Sequence, residues 1–203
     1  MSKNEIYKLS AEDNELDFFR DRQDVKRCPA CSDLLDKWKE DLSRVLIRRA
    51  PKYDVSSSIS GVYVVTKRFR ACVEDNALTG LEFTPLQAGL FSIRPKVSVP
   101  FDAARRGTRF LKQCQECGHY ESVVGARPVF LAANTVIPGR GFVRTDLEFG
   151  SFDEKHPLVL CGAEAAEVLR GANLKGLTLN PNSKDIGRAE RYRKSLGKEG
   201  FNS

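Results

Sequence analysis

Leu158-Val-Leu-Cys-Gly-Ala-Glu-Ala-Ala-Glu-Val-Leu-Arg-Gly-Ala-Asn-Leu-Lys-Gly-Leu-Thr-Leu-Asn-Pro181 repeats, without a gap, the pattern of Val62-Tyr-Val-Val-Thr-Lys-Arg-Phe-Arg-Ala-Cys-Val-Glu-Asp-Asn-Ala-Leu-Thr-Gly-Leu-Glu-Phe-Thr-Pro85, 96 positions earlier. Leu78, Gly80, Leu81 and Pro85 recur as Leu174, Gly176, Leu177 and Pro181. Apolar Val62, Val64, Val73 and Phe83 fall on Leu158, Leu160, Leu169 and Leu179. In each copy an alternating apolar run, a stretch of helical spacing, a glycine and a second alternating run spell strand, helix, turn and strand. The glycines belong where a helix ends and the chain reverses.

Each copy also lies downstream of its own C-x-x-C, Cys28-Pro-Ala-Cys31 and Cys114-Gln-Glu-Cys117-Gly118. The chain therefore reads as an α+β fold in which a split zinc ribbon, made of two CxxC knuckles, is combined with a duplicated strand–helix–strand unit. The expected organisation is a single compact domain over residues 1–181, built of pseudo-repeats 28–85 and 114–181. Residues 182–203 carry six basic and three acidic side chains and read as a basic, mobile tail.

Two thiolates separated by two residues grip one ion from a tight turn, and two such turns supply the four sulfurs that tetrahedral Zn²⁺ prefers. Cys28, Cys31, Cys114 and Cys117 are thus the candidate ligands of one structural zinc. Gly118 suits a knuckle, where positive φ lets backbone N–H groups approach sulfur, and Ser32 holds the matching place in the first half. Between Cys31 and Cys114 lie 82 residues, where an ordinary ribbon has roughly 15 to 20. The rival chemistry for Cys28 and Cys31 is thiol–disulfide exchange. Such a motif usually follows a buried strand, whereas residues 20–27 read Arg-Asp-Arg-Gln-Asp-Val-Lys-Arg.

A chain of 203 residues with 41% hydrophobic and 30% charged residues buries a core without needing a metal to do so. No apolar run approaches the ~18 residues of a membrane span, and Met-Ser-Lys-Asn-Glu opens without a secretory signal pattern. The expected location is the cytoplasm, where six cysteines fit metal ligation better than disulfides. A net charge of +6 invites an acidic partner, nucleic acid or protein. Arg105, Arg106, Arg109 and Lys112, leading into the second knuckle, are the candidate phosphate contacts if that partner is nucleic acid. A solvated basic strand edge that discourages aggregation is the simpler reading of them. Thr145, Asp146, Glu148 and Asp153 are expected on an exposed strand or loop.

Locally, Ser32 is expected to cap a helix running to about Arg49 and stopping at Pro51, with Leu34, Leu35, Trp38, Leu42, Val45 and Leu46 on its apolar face. Residues 1–27 read as an irregular arm, with Ile6, Tyr7 and Leu9 in a short strand and Leu16, Phe18 and Phe19 as anchors. Leu90–Pro100 reads as edges or a short hairpin. The sequence carries no phosphate-cradling Gly-rich loop, no H-E-x-x-H and no nucleophile elbow, and four thiolates leave no open metal position. The expectation is that it is not an enzyme.

The order of these motifs resembles the double-CXXCG motif family, known largely from myxobacteria. The residues that carry the resemblance are Cys28, Pro29 and Cys31, then Cys114, Cys117 and Gly118, then Phe149 and Phe152, then Leu158-Val-Leu through Leu174-Lys-Gly-Leu-Thr-Leu179. Ser32 departs from the family's glycine. The resemblance implies an immunity protein that neutralises a cognate polymorphic toxin by binding it, with zinc as scaffold and the toxin-binding surface elsewhere.

Overall fold

In the computed structural model, which describes residues 5–47 and 52–188, the two related segments form the same substructure. The strands are β1 (Ile6–Asp13), β2 (Val55–Ser57), β3 (Tyr63–Val65), β4 (Leu81–Pro85), β5 (Phe91–Pro95), β6 (Ser98–Val99), β7 (Arg109–Gln113), β8 (Tyr120–Val124), β9 (Phe142–Ser151), β10 (His156–Gly162) and β11 (Leu177–Pro181). The helices are α1 (Lys67–Asp75), α2 (Ala103–Arg106) and α3 (Ala163–Gly171). The chain is thus mixed α+β and dominated by its sheet. Among the described residues no helix is long and apolar enough to cross a membrane.

The 96-residue relation holds position by position. α1 and α3 begin and end at equivalent residues. Phe69 and Val73 in one, and Ala165 and Leu169 in the other, turn the same face inward, as i, i+4 spacing requires. Both helices unwind through an equivalent left-handed residue, Ala77 or Asn173, before the glycine turn at Gly80 or Gly176. In unit one, β5 lies antiparallel between β3 and β4, and Phe91 faces both Val65 and Pro85. In unit two, β1 takes that place, and Tyr7 faces both Cys161 and Pro181. Those four partners are equivalent pairs under the same shift.

Strand alternation then distributes the core. Tyr63, Val65, Val159 and Cys161 point to the face covered by α1 and α3, where both units share one apolar cluster. Val62 and Val64 point to the opposite face, into a cluster with Phe18, Phe19 and Val25. Leu158 and Leu160 enter a third cluster with Val99, Phe101 and Phe149. The units also interlock. The Phe142 N–H donates to the Thr79 carbonyl at 2.9 Å and the Val55 N–H to that of Lys175 at 3.1 Å. Gly80 packs on the Phe142 backbone and Gly176 on that of Val55, so each glycine turn docks on the other unit's strand.

Several expectations are corrected. The helix over 32–49 does not form; Lys37–Lys39 and Leu42–Arg44 make single 3-10 turns instead. Its start is pre-empted because Ser32 takes a φ of 63° to close the knuckle, while Leu34 is held extended by its bridge to Arg27. Leu34 and Ile47 are still buried, but Leu46 is exposed; residues 48–51 lie outside the described ones. The strand at the start of the N-terminal arm is longer than expected, since β1 runs between β10 and β11 and then alongside β2, while residues 14–26 are irregular. β5 is likewise interior to its unit rather than an edge. The start of the expected tail belongs to the body: 182–188 is helical, Asn182 exchanges two hydrogen bonds with the Val129 backbone, and Asp185 pairs with Arg127 at 2.7 Å. Residues 189–203 lie outside the described ones.

Candidate metal centre

The first knuckle follows Phe18 and Phe19, whose burial anchors the strand-less segment leading to Cys28. The second sits at the tip of the β7–β8 hairpin. They are built alike with an offset of 86 residues. The Arg27–Leu34 bridge corresponds to the Gln113–Tyr120 pair. The Cys28 N–H donates to the Asp33 carbonyl at 2.9 Å and the Cys114 N–H to the His119 carbonyl at 2.8 Å. Ser32 N–H donates to Cys28 O and Gly118 N–H to Cys114 O, at 2.8 and 3.0 Å. Ser32 and Gly118 both hold positive φ, 63° and 74°, so Ser32 does the glycine's conformational work at a cost that glycine avoids.

This pairing brings the four cysteines proposed from the sequence together. Cys28 Sγ lies 3.8 Å from Cys114 Sγ, and Cys31 Sγ lies 3.7 Å from Cys117 Sγ. All four sulfurs fall within 4.8 Å of one another. Four Zn–S bonds of about 2.3 Å in a regular tetrahedron give sulfur–sulfur edges of about 3.8 Å, so the observed spacings fit an ion of that size and ligand preference.

Packed this closely, four thiols do not ionise together unaided. Backbone N–H groups of Cys117 and Glu116 pull the Cys114 thiol down to about 7. At Cys31 the Asp33 N–H acts in the same sense, but loss of solvent and the adjoining thiols outweigh it and push the group up to about 12. A divalent cation supplies the missing charge, and thiolate ligation then follows. The four cysteines can hold a metal ion.

No protein-family model matches the chain, and no curated protein matches it.

Around the thiols runs a network that the motifs did not announce. Asp33 and His119, each two residues beyond its knuckle's second cysteine, join through Nδ1 and Oδ2 at 2.9 Å. Lys155, buried on the β9–β10 connection, donates to both Asp33 carboxylate oxygens at 3.0 and 3.1 Å and to the Tyr120 carbonyl at 2.7 Å. Lys37 donates to the carbonyls of Asp153 and Lys155 at 2.7 and 2.6 Å. Its burial lowers the ammonium to about 8. One lysine thus ties the two knuckles together, and a second ties the first knuckle's flank to unit two. The matching places of Asp33 and His119 were the available signal.

The other sequence candidates are largely engaged. Arg105 and Arg106 lie on α2 and Arg109 and Lys112 on β7; Arg105 stacks 4.4 Å from the Phe130 ring centroid, and Lys112 pairs with Glu121 at 2.9 Å. Thr145 is buried and bonded to Leu147 and Leu158. Asp146 accepts from the Phe101 N–H, Glu148 from the Trp38 indole, and Asp153 pairs with Arg27 at 2.8 Å. Of the four residues expected on an exposed strand or loop, Asp146 is exposed on β9, Glu148 and Asp153 are half-buried and Thr145 is buried, which corrects the expectation for Thr145.

Proposed function

We propose that this chain is a zinc-stapled binding protein of the double-CXXCG kind, an immunity protein that neutralises a cognate toxin by binding it. The observation that carries the structural half is the four-sulfur cluster joining knuckles 82 residues apart in sequence. A zinc held by four thiolates keeps no position open for water or substrate, which favours a scaffold role and a binding rather than a catalytic protein. The split zinc ribbon belongs to this reading, and so does the cytoplasm as its place of work. The immunity half is supported by the order of the motifs, early knuckle, late knuckle, closing strand–helix–strand. The test is co-production with the toxin encoded beside this chain: growth restored, with a stoichiometric complex on purification, is the expected result. A toxin that remains active and unbound would overturn it.

The alternative reading, a nucleic-acid-binding zinc ribbon, draws support from the exposed Phe110, whose ring centroid lies 5.1 Å from that of Tyr120, on a strand that also carries Arg109 and Lys112, since aromatic rings and cations together suit single strands. It is the weaker reading because Arg105 and Lys112 already have protein partners. It predicts binding to DNA or RNA that weakens steeply with salt; no retention at low salt would remove it.

A further inference from the structure

β7 is the end strand of the sheet path, paired with β8 only, and all five of its residues are exposed. An edge strand leaves alternate N–H and C=O groups facing outward, a template for another chain unless it is blocked. Of the other outer strands, β6 is only two residues long, and β4 and β11 are blocked. β4 and β11 each close on a proline, Pro85 and Pro181, and Arg70 lies across Phe83 and Phe91 beside β4. β7, Arg109-Phe-Leu-Lys-Gln113, has no proline; its guards are the cations Arg109 and Lys112 and the left-handed φ of 51° at Lys112, which repel a like-charged strand and leave an acidic one free to pair along Arg109–Leu111.

β7 itself is apolar and cationic, and the acid beside it, Glu121 on β8, is already paired with Lys112 at 2.9 Å. Seven large apolar side chains are exposed among the described residues, and Phe110, Leu111, Val124 and Phe152 are four of them. Phe152 stands 59% exposed and shares a hollow of about 280 Å³ with Lys112, Gln113 and Tyr120. From Ala103 to Gln113 the chain carries Arg105, Arg106, Arg109 and Lys112 and no acid. We propose that β7 is the docking edge for a partner protein, which adds an extended segment of alternating acidic and apolar residues as a further strand; this surface rests on the binding-protein reading above. Main-chain pairing supplies affinity and the flanking side chains supply selection. A second copy is a poor occupant, because two β7 strands would bring four cations together without an acid. Nucleic acid would use the cations but leave Leu111 and Val124 without a partner.

The test uses the full chain purified with its metal and a fluorescent peptide, Glu-Val-Asp-Phe-Glu-Val-Asp, against its lysine-substituted counterpart. The acidic peptide is expected to bind at least about tenfold more tightly, with the preference reversed in the doubly substituted Arg109→Glu, Lys112→Glu protein. Amide exchange across 109–113 is expected to slow about tenfold on binding, because outward N–H groups become paired. Equal binding of the two peptides, no binding, or binding without added protection of β7 would overturn the proposal. So would tighter binding of an oligothymidylate than of the peptide, or a concentration-dependent dimer that the charge reversal abolishes. If the charge-reversed protein neutralises the adjacent toxin as well as wild type, the surface is wrong and the immunity reading stands. If wild type itself fails to neutralise, that reading falls, and the peptide experiment still decides the edge.

Discussion

Replacing Gly80 or Gly176 by alanine tests whether the two units hold each other through their glycine turns. Both glycines have φ beyond +80°, at 91° and 82°. A Cβ on Gly80 would run into the Phe142 carbonyl oxygen, with the Phe142 nitrogen 3.2 Å away, and one on Gly176 into the Val55 carbonyl oxygen, with Tyr53 Cβ at 2.6 Å. Gly107 is the internal control, with φ of 71° and nothing within 4 Å of the added atom. There the cost is the left-handed conformation alone, roughly 1–2 kcal/mol. At Gly80 and Gly176 the backbone of the opposing strand must also move, adding about 1–3 kcal/mol as in an overpacked core. With a urea slope of about 2 kcal/mol/M, the midpoint should fall by about 1–2.5 M for either interlock variant and by about 0.5–1 M for Gly107→Ala. Urea unfolding of metal-loaded protein, followed by far-UV circular dichroism, measures this. Equal shifts for all three variants would refute the interlock and leave only local backbone strain.

Ser32→Gly should stabilise the metal-loaded protein by about 0.5–1 kcal/mol, because it removes a side chain from positive φ, and Gly118→Ala should cost about 1 kcal/mol; thermal unfolding reads both, and a destabilising Ser32→Gly or a Gly118→Ala without cost would contradict the knuckle equivalence. Lys155→Met leaves the Asp33 carboxylate buried without its cation and should cost about 3–5 kcal/mol. Adding Asp33→Asn should cost less than the sum, with a coupling above about 1 kcal/mol in a double-mutant cycle. For Lys37 the folded value, about 8, lies below the ordinary lysine value of 10.5, so the unfolded chain binds more protons between those pH values and wild-type stability should rise with pH across that window. Lys37→Met should lack that increment; equal slopes in urea midpoints between pH 8 and 10.5 would contradict it.

The strand–helix–strand units and the four thiols were legible because their signals are local and repeated. Gly80 and Gly176, spaced like Leu78 and Leu174, mark turns that only a left-handed backbone completes. Two C-x-x-C pairs declare their chemistry whatever lies between them. The segment after Cys31 misled because Leu34, Leu35, Trp38, Leu42 and Val45 fall at helical spacing while the knuckle claims Ser32 and the bridge claims Leu34. Tertiary demand there overrides propensity. β1 is only partly legible because Ile6-Tyr-Lys-Leu-Ser-Ala-Glu-Asp13 has only a short alternation, and its place between β10 and β11 depends on partners 150 or more residues away. The Asp33–Lys155 pair spans 122 residues and has no periodic signature at all.

The most direct test of the central claim is the metal content of protein purified without added metal, measured by elemental analysis for wild type, Cys28→Ser and Cys114→Ser. The account predicts one zinc per chain in wild type and its loss in both variants, since each removes one of four ligands from a single site. No metal in wild type with a reversible Cys28–Cys31 disulfide, or full metal in either variant, would contradict it.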